Sequence, residues 1–277
     1  MRLVSNSGHI RRHAIFGRVA TFGGFGILLG GLLYSAFGIG GERAETIVIS
    51  YAALAVGYLL IAFGKGDWLR FAIRPRADEA LAIQLRSLDS RVVLFNYVSC
   101  VPVDHLIVAP GAIVVVETRP YIGDIIVRGD RWSRRRGIIG WLQLLSEGPL
   151  GNPTRDALHG VELVRKLLTD RFGAEEAARI PVEPVVIFTH PRVTLTIENP
   201  TIPVMHARDC REHVRRVATA SGTSQAILKR LEAQVIEEST LEAEPVNAGD
   251  AIERRSAARR PRRGRPTSRP PWRNPRK

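Results

Sequence analysis

Two long apolar segments stand out near the start of the chain. Residues 19–41 contain no charged side chain, and residues 46–64 are likewise uncharged. Each segment is close to the ~20 residues that an α-helix needs to cross a bilayer, and neither has the polar stripe of a helix buried in a soluble core. The pattern predicts two transmembrane helices, residues 19–41 and 46–64. A cleaved signal peptide is the alternative for the first segment, but the run is long for that role and a second span follows at once.

Flanking charges predict how this hairpin is oriented. Residues 1–18 carry four arginines and no acid, and a basic linker, residues 65–76, follows the second span. The short loop between the spans carries both signs of charge. Under the positive-inside rule both termini lie in the cytoplasm. Gly26 and Gly30 form a GxxxG, which is either a close-packing face or a chance match in a glycine-rich span.

After the linker the pattern changes to short elements. An amphipathic helix over residues 78–90 precedes a strand over residues 92–98, and strands over residues 104–108 and 113–118 are joined by an Ala-Pro-Gly turn. The apolar runs of the last two strands are nearly continuous, which is typical of strands covered on both faces. Further strands and helices alternate as far as residue 238. The elements together predict an α/β domain.

Two carboxylates interrupt the central apolar hairpin. Asp104 stands at the start of one strand and Glu117 near the end of the next. In a hairpin of this length the two positions can lie almost opposite each other. Two adjacent carboxylates repel unless a proton or a cation lies between them, and a hard ion such as Mg²⁺ is the usual solution.

The sequence DHLIVAPGAIVVVETR, residues 104–119, resembles the nuclease-related domain (NERD) of the PD-(D/E)XK nuclease superfamily. The resemblance covers residues 77–216. It implies a restriction-endonuclease-like α/β fold, a mixed sheet flanked by helices, preceded here by the two-helix transmembrane hairpin.

The resemblance also implies a metal site. Its ligands to Mg²⁺ or Mn²⁺ would be Asp104, Glu117 and the backbone carbonyl of Thr118. Glu79 would approach the same site, although an acid in the first turn of a helix is also explained by the helix dipole. The catalytic set would then be Asp104, Glu117, Arg119 and Glu79.

Two residues depart from the family pattern. The motif lysine is replaced by Arg119, and a glutamine common in the family is replaced by Asp156. Arginine stays protonated and cannot act as a base, but it can stabilise phosphate charge. Whether the domain is an enzyme is therefore an open question at the level of the sequence.

The net charge of +13 is distributed unevenly along the chain. Residues 253–277 hold ten Arg, one Lys and one Glu, so a predicted disordered tail, residues 241–277, carries most of the excess. A predicted C-terminal helix, residues 217–240, separates the tail from the domain. The tail can bind the phosphate groups of nucleic acid or of anionic lipids. The alternative is a solvated end that binds neither. Its candidate binding residues are Arg259, Arg260, Arg262 and Arg263.

A second basic cluster surrounds Trp132. It is either a nucleic-acid-binding surface, which would use charge and stacking, or a solvated loop. Its members are Arg131, Arg134, Arg135 and Arg136. Cys100 and Cys210 have no metal-ligand spacing, which argues against a structural zinc site or a disulfide framework.

The sequence therefore favours a membrane-anchored nuclease that hydrolyses nucleic acid, with DNA favoured over RNA, in a Mg²⁺-dependent reaction at the cytoplasmic face. The alternative is a catalytically weak or inactive module, tethered to the bilayer, that binds nucleic acid or another partner. The sequence identifies no protein partner.

Overall fold

The computed structural model describes residues 1–37, 44–135, 150–219 and 225–238. The helices are α1 Ser7–Ala36, α2 Ala44–Asp67, α3 Ala77–Leu85, α4 Pro153–Phe172, α5 Ala174–Ala178, α6 Cys210–Thr219 and α7 Gln225–Glu238. The strands are β1 Arg2–Ser5, β2 Val93–Asn96, β3 His105–Val108, β4 Ile113–Arg119, β5 Gly123–Arg128, β6 Arg131–Arg134, β7 Val182–Phe188, β8 Val193–Glu198 and β9 Val204–His206. A π-helical turn, Trp68–Ala72, follows α2 directly.

Helices α1 and α2 form an apolar hairpin. Both are long and apolar enough to cross a membrane, and large apolar side chains such as Phe22 and Phe63 are 63% and 70% exposed on its surface. Exposed apolar surface of this extent is typical of a surface that contacts a membrane or another protein. Helix α1 begins at Ser7 rather than at residue 19, so it includes most of the basic N-terminal segment.

The two helices pack so closely that glycine is required between them. A Cβ atom added to Gly24 would lie 2.7 Å from the carbonyl oxygen of Gly57, and one added to Gly57 would lie 2.8 Å from the carbonyl oxygen of Gly24. Around Gly26 and Gly30, in contrast, an added Cβ would meet no heavy atom of the described residues within 4 Å. The α1–α2 contact therefore uses a different glycine face from the GxxxG pair singled out in the sequence.

Within the described residues the main sheet has six strands in the order β1-β2-β3-β4-β7-β9. Strands β2, β3 and β4 are antiparallel neighbours, while β1 runs parallel to β2 and β7 and β9 run parallel to β4. The β3–β4 turn is closed by a hydrogen bond from Ala109 N–H to the Ala112 carbonyl at 3.0 Å. This arrangement confirms the predicted mixed α/β sheet.

Helices cover both faces of this sheet. On one face, α4 and α7 contribute Val164, Leu168 and Leu231 to a core shared with Phe95 and Val115. On the other face, α3 and α6 pack on alternate residues of the same strands, in a core that includes Leu81, Leu94, Val114 and Val214. Burial of both faces explains why these strands read as continuous apolar runs.

A second sheet, within the described residues, has three strands in the order β6-β5-β8. Its inner side packs against the end of β7 through Ile125, Val127 and Phe188. Strand β6 was not predicted: residues 131–134 had been assigned to a loop or a binding cluster. Their alternating exposure, with every second side chain turned inward, is the period of a strand paired on one side.

The first strand changes the predicted domain boundaries. Residues 1–18 had been interpreted as a basic N-terminal segment on the cytoplasmic side, yet Arg2–Ser5 within it pairs with Val93–Asn96 along its whole length. Val4 is 4% exposed, within the core of the domain. The domain sheet thus begins before the apolar hairpin and continues after it.

Candidate active site

Asp104 lies immediately before β3, at the end of the sheet nearest the apolar hairpin. Its side chain forms an ion pair with Arg70, a residue of the π-helical turn after α2. Its carbonyl oxygen accepts a hydrogen bond from Tyr97 N–H at 2.7 Å. The aspartate is therefore held by its backbone on one side and by a guanidinium on the other.

Glu117 is on β4, two residues beyond the last paired residue of the β3–β4 ladder. That ladder pairs Val108 with Ile113 and Leu106 with Val115, and the same register continued by two residues would set Asp104 opposite Glu117. Directly opposed residues of an antiparallel pair have Cβ atoms about 4.5–5.5 Å apart. Burial raises the pKa of Glu117, while the neighbouring guanidinium of Arg119 opposes the rise.

Arg119 is the cation of the motif, and it bridges two acids. Its guanidinium lies 3.2 Å from Glu117 Oε1 and also pairs with Asp156. Asp156 stands in the first turn of α4, whose N-terminus is capped by the side chain of Asn152. The two departures from the family pattern, Arg119 and Asp156, are thus partners of each other. The Arg119 Nε is buried and has no hydrogen-bond partner among the described residues.

Residues 76–189 match the family model of the nuclease-related domain. The chain contains a nuclease-related domain. No curated protein and no solved structure matches the chain significantly. Asp104, Glu117, Arg119 and Asp156 all fall inside the matched segment, whereas Arg70 and β1 lie before it.

The candidate ligands of the nuclease-related domain are of the chemical type that a hard divalent cation uses. Mg²⁺ is commonly bound by one or two carboxylates, with water and substrate phosphates as its other ligands, and its binding by Asp104 and Glu117 stays a prediction. Thr118 lies between Glu117 and Arg119 on β4, in register with Ile187 of β7. Among the described residues no group of three or more His, Cys, Asp or Glu side chains is placed to bind a metal ion.

Glu79 has a structural position in this domain. It belongs to the first turn of α3 and accepts a hydrogen bond from Arg76 N–H at 3.4 Å, and its carboxylate is also 3.5 Å from Arg74. Asp78 beside it forms two 3.0 Å hydrogen bonds with the Arg76 guanidinium. These contacts are those expected of an acid in the first turn of a helix, and the role of Glu79 at the metal site stays a prediction.

Three residues near the site were not singled out in the sequence. Arg70 had been noted only as a juxtamembrane charge. Tyr97 is buried with a φ of 55°, a left-handed conformation that is uncommon for a bulky residue and persists only where the surroundings enforce it. His105 is fully buried, and its Nδ1 is 2.8 Å from Asn96 Oδ1. Burial lowers the pKa of His105 to about 3, which keeps the ring neutral.

Part of the basic cluster around Trp132 makes contacts within the domain. Arg134 donates to the Ile122 carbonyl and lies over the ring of Tyr121, and Trp132 donates from Nε1 to Thr154 Oγ1 at 2.9 Å. Arg131 and Arg135 are exposed, so nucleic-acid binding by this surface stays a prediction. Arg136 and the four tail arginines, Arg259, Arg260, Arg262 and Arg263, lie outside the described residues.

Proposed function

We propose that this protein is a membrane-anchored, metal-dependent nuclease that hydrolyses phosphodiester bonds of nucleic acid, with DNA as the first candidate substrate. The observation that carries the proposal is the β3–β4 register, which, continued by two residues, would set Asp104 opposite Glu117 within the segment that matches the nuclease-related domain. Two carboxylates close together repel unless a cation lies beside them. A catalytic metal would take the place that the guanidinium of Arg70 holds beside Asp104.

The chain's own residues would divide the work as follows. Asp104, Glu117 and the Thr118 carbonyl would bind Mg²⁺ or Mn²⁺, and the bound ion would lower the pKa of a water and offset charge on the scissile phosphate. Arg119 remains protonated, so it cannot accept the proton of the attacking water. Its fixed charge, oriented by Glu117 and Asp156, would instead bind a non-bridging phosphate oxygen.

Two observations support a cytoplasmic position for the domain. Strand β1 precedes α1 and pairs with β2, which follows α2, so a hairpin that crosses the bilayer twice returns the chain to the side on which it began. Basic residues are concentrated at those two ends: Arg11, Arg12 and Arg18 on one, Lys65 and Arg74 on the other. The positive-inside rule assigns that side to the cytoplasm.

A second function is supported by the same arginines. Because Arg119 cannot serve as a base and Arg70 pairs with Asp104, the domain could bind nucleic acid without cleaving it. Binding would then depend on arginine contacts to phosphate and weaken steeply with salt. Removal of residues 252–277 would weaken it further, since the tail supplies most of the net positive charge.

The test is a cleavage assay on the full chain in detergent or nanodiscs with Mg²⁺ or Mn²⁺ and labelled single- and double-stranded DNA and RNA. We expect Glu117→Ala to reduce cleavage by at least about 100-fold, in the range for loss of a group that acts on the reacting phosphate. Arg119→Lys should retain or raise it. Asp124→Ala, an exposed carboxylate of β5, is the matched control.

Three outcomes separate the alternatives. Equal cleavage by Asp104→Ala, Glu117→Ala and the unaltered protein would identify a contaminating nuclease and refute the assignment. No cleavage by any form, together with salt-sensitive binding, would establish the binding module. Loss of cleavage in the two carboxylate variants alone would support the nuclease.

A further inference from the structure

Arg70 connects the apolar hairpin to the carboxylates of the site. It lies in the π-helical turn Trp68–Ala72, which is fixed from both sides. Toward the hairpin, a Cβ atom at Gly17 of α1 would lie 2.3 Å from Trp68 N, so no space separates the turn from α1. Toward the domain, the ring of Phe71 is buried and lies 5.1 Å from that of Tyr97.

From this turn the side chain of Arg70 reaches the carboxylate of Asp104. Its guanidinium pairs with that carboxylate and lies over the ring of Tyr97, 5.7 Å from the centroid. The positive charge of Arg70 thus lies beside one of the two carboxylates proposed to bind the metal.

An arginine and a metal ion compete for the same carboxylate. A guanidinium donates N–H groups to the lone pairs that a cation also uses, and two cations about 4 Å apart repel each other. The Arg70 and Asp104 side chains are 49% and 43% exposed. Water therefore reaches the pair, and it can open without unfolding of the domain.

We propose that Arg70 is an intramolecular counter-ion that closes the metal site, so that a divalent cation binds only when Arg70 leaves Asp104. This inference rests on the proposed function, because it concerns the same site. It makes the end of α2 a determinant of metal affinity. It also makes Arg70 a positioning residue rather than a catalytic one, since it acts through Asp104.

The test measures Mn²⁺ binding to the full chain in detergent micelles, by loss of the electron paramagnetic resonance signal of free Mn²⁺. We expect Arg70→Gln to tighten binding by about tenfold or more, because one repelling charge is removed. Arg70→Lys keeps a positive charge and should retain the weaker affinity of the unaltered protein. Arg128→Gln is the matched control, since Arg128 is an exposed arginine that pairs with Glu198 and not with any proposed site residue.

The failures of the two proposals are distinguishable. If Arg70→Gln and the unaltered protein bind Mn²⁺ equally while Asp104→Asn abolishes binding, the counter-ion role is refuted and the metal site stands. If none of the variants binds Mn²⁺ although each unfolds cooperatively, the metal-dependent function is refuted and the counter-ion role with it. Tighter binding by Arg70→Gln that Asp104→Asn reverses would establish both.

Discussion

The clearest structural prediction concerns Val4, in a strand that the sequence did not reveal. Val4 is 4% exposed and belongs to the core that contains Phe95, Leu231 and Val235. Val4→Ala removes two carbon atoms from that core, worth about 1.6 kcal/mol at ~0.8 kcal/mol per methylene. The cavity left behind adds to this, so we expect a loss of about 2 kcal/mol.

The loss should be measured where it acts, on β2. Amide hydrogen exchange over Val93–Asn96, followed by mass spectrometry on the full chain in detergent, reports the opening of this edge. A loss of about 2 kcal/mol corresponds to roughly thirtyfold faster exchange. Ser5→Ala is the control, because Ser5 lies on the same strand but is only partly buried.

Exchange in Val4→Ala within about threefold of the unaltered protein would refute the assignment of β1 to the sheet, since threefold is below ~0.7 kcal/mol. The result has a practical consequence. A fragment that begins at residue 77 lacks β1 and leaves the outer edge of β2 unpaired. Such an edge is a template for aggregation, so binding and cleavage should be assayed on the full chain.

Two further predictions follow from the packing of the hairpin and the burial of a thiol. Gly57→Ala should lower the thermal midpoint of unfolding in detergent, because the new methyl group would lie 2.7 Å from Leu28 Cγ and 2.8 Å from a backbone oxygen. Gly26→Ala is the control. Its methyl group meets no described atom within 4 Å, so the midpoint should stay within about 1 °C of that of the unaltered protein. Cys210 is fully buried, and burial raises the pKa of its thiol to about 12. At pH 8 a maleimide should therefore label the partly exposed Cys100 first. Equal labelling rates of the two thiols in the folded protein would contradict the burial of Cys210.

The central hairpin was predictable because its signals are local. Continuous apolar runs and a Pro-Gly turn predict β3, β4 and their antiparallel pairing, which the structure shows from Leu106–Val115 to Val108–Ile113. The strand predicted over residues 92–98 likewise corresponds to β2, Val93–Asn96. The nuclease-related domain was likewise predictable from one stretch of 16 residues, and the family match confirms that prediction.

The missed features depend on contacts between distant parts of the chain. Strand β1 is four residues long, and its partner lies about 90 residues later, so nothing in Arg2–Ser5 itself distinguishes a strand from a polar terminus. The Arg70–Asp104 pair exists only because the hairpin brings the end of α2 back to the sheet. Strand β6 is different: its sequence, Arg-Trp-Ser-Arg, has one aromatic residue among polar ones and was interpreted as part of a binding cluster or a loop.

The apolar hairpin is joined to the site at both of its ends. At the first end, Asn6 caps α1 and donates its N–H to the Asn96 carbonyl at 3.1 Å, and the next residue, Tyr97, hydrogen-bonds to the backbone of Asp104. At the second end, Arg70 pairs with the Asp104 side chain. A passive tether would join the domain through one flexible linker and would leave the site unaffected by the helices. Here both ends of the apolar hairpin lead to Asp104, one through its backbone by way of Tyr97 and the other through its side chain, so a shift of either end would act on the same residue.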